Sequence, residues 1–325
     1  MPGRGAFDKP TGVDSGRLPA TLRRDGAFWR RFAELGCVYG PEWWKRGSPP
    51  VIAAILYAFG RRQRTAVRRN QGKVCGPAHP LREHWRAYRV FAEFARSLTE
   101  GMEQWGPHPK PLELTIGNAR LFEEALAEHR GLVVVTGHFG SWEVGARVLS
   151  RLGRPVNMVT AQEANPSVRQ FIHDMRTRHG FNVIYSDRSL FAGLPIVQAL
   201  RRDEIVGMQI EPWGPLAGSH LLDFCGQPTR VQLGPFTIAR VARAPVVAVF
   251  AVRTGIRRYE LKVEGRWDPR TPAESVTALT EAVRAYERLV RAHPQQWLMI
   301  EDVWPADAPA PDQEIVPQAV GLRRR

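Results

Sequence analysis

Residues 132–144 read LVVVTGHFGSWEV, and this stretch decides the fold. The run Val133-Val134-Val135 is β-branched with no polar alternation, the pattern of a strand covered on both faces of a parallel sheet. It stops at Gly137. His138 then falls in a glycine-flanked turn, and Ser141 is placed to cap a helix that Trp142 and Glu143 begin. His138 and Glu143 are five residues apart, which on one continuous helix would set them about 140° apart. With His138 in the turn and Glu143 in the first helical turn, the chain folds back and carboxylate meets imidazole. A base held by a carboxylate at the carboxyl end of a strand is an arrangement for proton abstraction.

Beyond Glu143 the pattern alternates. Strands are expected at 156–160, 182–185, 205–210, 221–224, 246–252 and 297–300, with 259–263 the antiparallel neighbour of the strand before it. Helices are expected at 167–178, 190–201 and 234–243, and again after the capping box Thr271-Pro272-Ala273-Glu274. The fold class is therefore α/β, a mostly parallel central sheet flanked by helices. Upstream, a weak strand at 112–116 leads to a short helix capped by Asn118. A longer helix at 80–104 carries Trp85, Tyr88, Phe91, Ala92, Ala95 and Leu98 at helical spacing, a core stripe.

The front of the chain reads differently. Phe28, Trp29 and Phe32 open an amphipathic piece, and Trp43-Trp44-Lys45-Arg46 follows. Ser48-Pro49-Pro50 reads as the start of a helix that carries VIAAILYAF and runs on into Arg61, Arg62, Arg64, Arg68 and Arg69. Arg61, Arg64 and Arg68 share one face by their spacing. Aromatic, apolar and arginine groups arriving together predict an N-terminal helical membrane-docking segment on anionic lipid, with a core-facing helix and a solvated basic end as the plain alternative. The organisation expected is a disordered 1–24, a helical segment 25–110, an α/β core 111–305 forming one structural domain with those helices, and a flexible basic tail 306–325.

Composition supports this. The 325 residues carry 46 Lys+Arg against 32 Asp+Glu, a net charge of +14, so an anionic partner is expected. Cys37, Cys75 and Cys225 are scattered without disulfide or metal spacing. No apolar run reaches the roughly 20 residues of a spanning helix. A peripheral place on a membrane is the expectation. No nucleic-acid-binding signature accompanies the charge, which gathers in the N-terminal helices.

The stretch GHFGSWE resembles the lipid A biosynthesis acyltransferase family, whose hallmark of His, four residues, then Asp or Glu falls on His138 and Glu143. Further pieces are similar in order: Arg68-Arg69-Asn70, Arg176 with Gly180, Glu211-Pro212, Phe224-Cys225-Gly226-Gln227-Pro228, Gly234-Pro235-Phe236 with Ala239-Arg240, and HPQQWLMIEDVWP near the end. There are departures. Ala161 stands where family members often have Arg, Glu211 stands alone where they often have Asp-x-Asp, and the usual N-terminal spanning helix has no counterpart.

The resemblance implies transfer of an acyl chain from acyl carrier protein or acyl-CoA to a hydroxyl of a lipid A precursor or another glycolipid, at the cytoplasmic face of the inner membrane. Phospholipid-like and mannoside acceptors are the alternative. It also implies no cofactor and no metal. In this reading His138 is the base and Glu143 supports it. Backbone N–H groups at the helix start after Gly140 serve as oxyanion donors. Arg169 and Arg176 contact an anionic substrate or are solvated helix arginines. Glu211 contacts substrate or merely steadies its turn, and Phe224 belongs to an acyl pocket or, with more weight, to the core. Two rivals are a hydrolase, against which Ser141 lacks the Gly-x-Ser-x-Gly elbow, and a membrane-binding protein without catalysis.

Overall fold

The strand at the centre turns Val133 and Val135 to one side and Leu132 and Val134 to the other, and all four are buried. The structure is a computed structural model that describes residues 26–104, 106–161, 166–178, 180–186, 193–211 and 218–304. The expected disordered start and basic tail lie outside the described residues. The elements run α1 (Gly26–Tyr39), α2 (Glu42–Phe59), α3 (Arg61–Cys75), α4 (Pro80–Gln104), β1 (Glu113–Gly117), α5 (Ala119–Ala127), β2 (Leu132–Thr136), α6 (Trp142–Leu149), β3 (Val156–Ala161) and α7 (Pro166–Arg178). They continue with β4 (Phe181–Ser186), α8 (Leu194–Arg201), β5 (Ile205–Gln209), β6 (Ser219–Phe224), β7 (Gln227–Gln232), α9 (Gly234–Ala242), β8 (Val246–Gly255), β9 (Arg258–Trp267) and α10 (Pro272–Ala292).

Seven strands form one sheet in the order β1-β9-β8-β2-β5-β3-β4. Every pairing in it is parallel except β8 with β9. Helices α8, α9 and α10 cover the Val133/Val135 face, and α5 and α6 cover the Leu132/Val134 face. The strand β7, which pairs antiparallel with β6, was not expected from sequence; Cys225 and Gly226 both have positive φ (59° and 76°), the two-residue turn that hairpins favour. A third cluster, Ala53, Val67, Ala87, Val90 and Phe91, binds α2 and α3 to α4.

Ion pairs tie these N-terminal helices to the sheet. Arg253 at the end of β8 forks onto Glu93, with contacts of 2.6 and 2.8 Å, and Arg257 in the β8–β9 turn meets Glu103 at 2.6 Å. Lys45 meets Glu103 at 2.8 Å, and the Tyr259 hydroxyl donates to Glu100 at 2.6 Å. Pairs of this kind, mostly out of water, add little net stability, but removing one partner would leave the other charge buried and uncompensated.

Several expectations are corrected. The helix expected to start at Ser48 starts at Glu42, with Pro49 and Pro50 inside it, and it stops at Gly60 instead of running into the arginines. A Cβ at Gly60 would stand 2.6 Å from the Leu56 carbonyl oxygen, so only glycine makes this corner. The arginines head their own helix, α3. Arg64 donates to the Tyr57 and Ala58 carbonyls at the end of α2, and Arg68 pairs with Glu83 at 2.9 Å, so these two do not form a solvent stripe with Arg61. Trp85 is 59% exposed, not core. Asn118 is left-handed (φ 56°) and donates to the Val263 carbonyl instead of capping α5. The last expected strand is a single bridge, Trp297 to Phe139, after a short 3-10 turn at Pro294–Gln296.

Candidate active site

Four backbone bonds hold the turn after β2. Gly140 N–H donates to Gln296 O at 2.9 Å and Ser141 N–H to Ala251 O at 3.2 Å. Leu298 N–H donates to His138 O, and Phe139 N–H to Gly137 O, both at 2.7 Å. The Gln296 side chain locks the clamp from behind: its Oε1 accepts from Arg253 N–H at 2.8 Å and its Nε2 donates to Arg253 O at 2.7 Å. Gly140 has φ +59°, and a Cβ there would stand 1.8 Å from the Ala251 oxygen. Gly137 is tight as well, since a Cβ would meet the Tyr286 ring and hydroxyl at 2.5 Å. These glycines let the chain turn against β8 and α10 with no space between.

Of the N–H groups at the helix start expected as oxyanion donors, that of Ser141 is committed to a carbonyl, as is the Gly140 N–H before it. The capping expectation is corrected. Ser141 stands at the start of α6 without capping it; its hydroxyl points to the Ser97 carbonyl at 3.5 Å.

The His138 imidazole is 38% exposed, so a substrate can reach it. Its Nδ1 lies 3.1 Å from Glu211 Oε1, and the same oxygen accepts the His138 backbone N–H. The hydrogen-bonding carboxylate is thus Glu211, where sequence reasoning placed Glu143. Register explains it. Strands β2 and β5 are parallel neighbours with Thr136 opposite Gln209, so two residues further on His138 stands beside Glu211. A carboxylate only accepts, so Nδ1 carries the proton and Nε2 of the neutral ring is the basic nitrogen.

Glu143 bears on the His138 ring through its charge. Its side chain lies against Gly101 of α4, where a Cβ would come within 3.0 Å. Burial pushes its carboxyl up to about 7, against the pull of its own backbone N–H and the charges of Arg176 and His138. Burial would push His138 down, but the hydrogen bond and charge of Glu211, with the charge of Glu143, outweigh it and the net direction is up. Beneath them Tyr286 is fully enclosed. Burial, then the Glu211 charge, holds its phenol well above the ordinary range.

A cavity of about 390 Å³ opens beside His138 on the α5/α6 face of the sheet. Its walls are apolar: Phe122, Leu126, Val134, Leu149, Met158 and Val263 are among them. Arg169, Arg176 and Tyr185 line it as well, and the Arg176 guanidinium lies 5.4 Å from the centre of the Trp142 ring. Ala161 also lines it. Phe224 does not. It is fully buried on the opposite face, 5.7 Å from Trp297 and 5.8 Å from Tyr286, so it is a core residue and not an acyl-pocket wall. No group of three or more candidate metal ligands occurs among the described residues. The sequence did not disclose the cavity, the clamp by Gln296, or Tyr286. The segment HPQQW signalled the clamp only as a motif, without its purpose.

The profile described as bacterial lipid A biosynthesis acyltransferase matches residues 38–305. A phosphatidylinositol mannoside acyltransferase of Mycobacterium tuberculosis is 27% identical over 202 residues, spanning 61% of this chain and 62% of that protein. A lipid A biosynthesis palmitoleoyltransferase of Escherichia coli is 25% identical over 261 residues, 77% of this chain and 81% of that protein. A lipid A biosynthesis acyltransferase of Shigella flexneri matches to the same extent.

Proposed function

The chain belongs to the bacterial lipid A biosynthesis acyltransferase family, and from that premise we propose that it transfers a fatty acyl chain from an acyl thioester to a hydroxyl of a glycolipid, with His138 as general base. The observation that carries this reading is His138 at the mouth of the apolar cavity with its Nδ1 on Glu211. A sugar hydroxyl holds its proton far above neutral pH, so its oxygen becomes a nucleophile only as a base takes the proton. Nε2 of His138 takes it. The oxygen attacks the thioester carbonyl, the C–S bond breaks, and the thiolate leaves with the proton that His138 returns. No acyl-enzyme forms. Glu211 holds the ring in the useful tautomer and, with Glu143, stabilises the imidazolium. The acyl chain lies along the walls of Phe122, Leu126 and Leu149. Arg169 and Arg176 face an anionic part of one substrate.

A glycolipid acceptor is favoured over a simple phospholipid because both kinds of relative carry glycolipid names: a phosphatidylinositol mannoside and lipid A. The donor is acyl carrier protein or acyl-CoA, and the reaction needs no cofactor.

The protein works from a membrane surface. Among the described residues no helix is long and apolar enough to cross a membrane. Yet α2 exposes two adjacent rows, Trp43, Val51, Ile55 and Phe59 beside Trp44, Ile52 and Leu56. Arg61 and Arg62 stand exposed just beyond its end. Apolar rows of this size flanked by guanidinium groups suit an anionic lipid interface.

The test is incubation of the purified protein with an acyl thioester and a panel of lipids: a lipid A precursor, a phosphatidylinositol mannoside and a plain phospholipid. Mass spectrometry reads the products. An added acyl group on either glycolipid is expected, and no acylated product from any of them contradicts the reading.

A further inference from the structure

A second cavity, of about 280 Å³, lies beside the first. The two share Val148 of α6 as a lining residue. Its lining differs in kind. Lys110, Arg147 and Arg151 are three basic residues in its lining, no carboxylate residue is among them, and Leu114 and Gln104 also line the wall. The rim is built, not loose: Gln104 Nε2 donates to the Lys110 carbonyl at 2.8 Å. Arg147 has a buried Nε with no hydrogen-bond partner among the described residues, and its Nη1 reaches only the Ser150 hydroxyl, at 3.5 Å. The carboxylate near Lys110, Glu42, is taken by Arg257 at 2.8 Å.

Topology brings this cavity to the reacting end of the sheet. β1 runs parallel to β9, and its first residue Glu113 pairs with Arg258. Arg258 in turn pairs with Gly255 at the carboxyl end of β8, beyond Ala251, which bridges to Gly140. The segment from Lys110 into β1 therefore lies at the His138 edge. Arg147 stands four residues after Glu143 on the same helix, about 6 Å along its axis.

We propose that this second cavity is a phosphate-ester subsite, taking the phosphate of a substrate whose reactive end lies at His138. Two guanidinium forks and an ammonium match the oxygens and charge of a phosphate ester, and the apolar wall suits the chain that carries it. Two substrates of the proposed transfer can supply such a group, the phosphopantetheine arm of the donor or a phosphorylated sugar of the acceptor, so the assignment rests on that reading.

The experiment is calorimetric binding to the full chain, with 4′-phosphopantetheine, pantetheine and glucosamine 1-phosphate as probes, in wild type and in Arg147→Gln/Arg151→Gln. At least one phosphate-bearing probe should bind, pantetheine should bind much more weakly, and the double variant should lose about tenfold or more. Dependence on phosphopantetheine assigns the subsite to the donor, and dependence on glucosamine 1-phosphate assigns it to the acceptor. Binding of neither phosphate probe, equal binding of pantetheine, or unchanged affinity in the variant overturns the proposal. If the double variant fails to fold by circular dichroism, Lys110→Gln, on an exposed loop, takes its place with the same criteria. Binding needs no turnover, so a protein that binds phosphate through these residues yet transfers no acyl group would keep this subsite and lose the proposed reaction.

Discussion

Replacing Glu143 by glutamine should make the protein more stable and less active at once. The carboxyl is buried against Gly101, and its ionised form is held there at a cost, which is why it titrates near 7 instead of at its ordinary 4.5. An acid whose folded value is raised favours the protonated form in the native state. Its stability contribution is therefore complete below about 4.5 and falls as pH rises from there through about 7. At 1.36 kcal/mol per unit, the loss above pH 7 approaches about 3 kcal/mol, an upper figure because the side chain is not wholly enclosed. Glutamine keeps the shape and cannot ionise. Urea unfolding at pH 5 and pH 8 reads the effect. Wild type and Glu143→Gln should differ by under about 1 kcal/mol at pH 5, and the variant should gain roughly 2–3 kcal/mol over wild type at pH 8. Turnover should fall, since His138 loses a charge that stabilises its protonated form. Equal pH dependence of the two proteins, or a variant less stable at pH 8, would refute the reasoning.

The rate of transfer should rise with pH through an apparent value above 6.5, because the base must be neutral and its value is raised; the apparent value belongs to the coupled His138–Glu143 pair. Glu211→Gln keeps an acceptor oxygen but removes the charge, so this limb should move to lower pH, and a limb that stays in place would mean the contact is not made in the working enzyme. Gly140→Ala should cost about 3 kcal/mol or prevent folding, from the left-handed φ and the collision with Ala251, and thermal unfolding checks it. Ile55→Glu with Phe59→Glu on α2 should weaken sedimentation with anionic vesicles without altering the circular dichroism spectrum, and wild-type binding should fall as salt rises.

The sheet was legible where local pattern suffices. The Val133–Val135 run, the alternating segments after it and the capping box at Thr271, where the Thr271 hydroxyl accepts from Glu274 N–H at 3.2 Å, all carry their signal within a few residues. The site was legible only in half. His138 was found because glycines flank it. Glu211 was taken for a turn or substrate residue because its partnership with His138 depends on β5 lying next to β2, and no local pattern states strand order. Glu143 was five residues away in sequence and drew the pairing to itself. Trp85 misled in the same way: its spacing belongs to the core stripe of α4, yet the covered side of that helix also carries Glu93, Glu100 and Glu103, whose partners come from β8, β9 and the turn between them, far along the chain. Gly60 hid the corner between α2 and α3 because the apolar and basic runs adjoin without a polar break.

The central claim is that His138 is the base of an acyl transfer, and the rate of acyl transfer to glycolipid by His138→Ala tests it most directly. Wild type and variant are compared with one acyl thioester, with folding verified by the unfolding midpoint. Loss of a positioned base should slow the well-folded variant by about 10²–10⁴-fold, with Glu211→Ala falling between it and wild type. Transfer at the wild-type rate by a folded His138→Ala protein would contradict the claim.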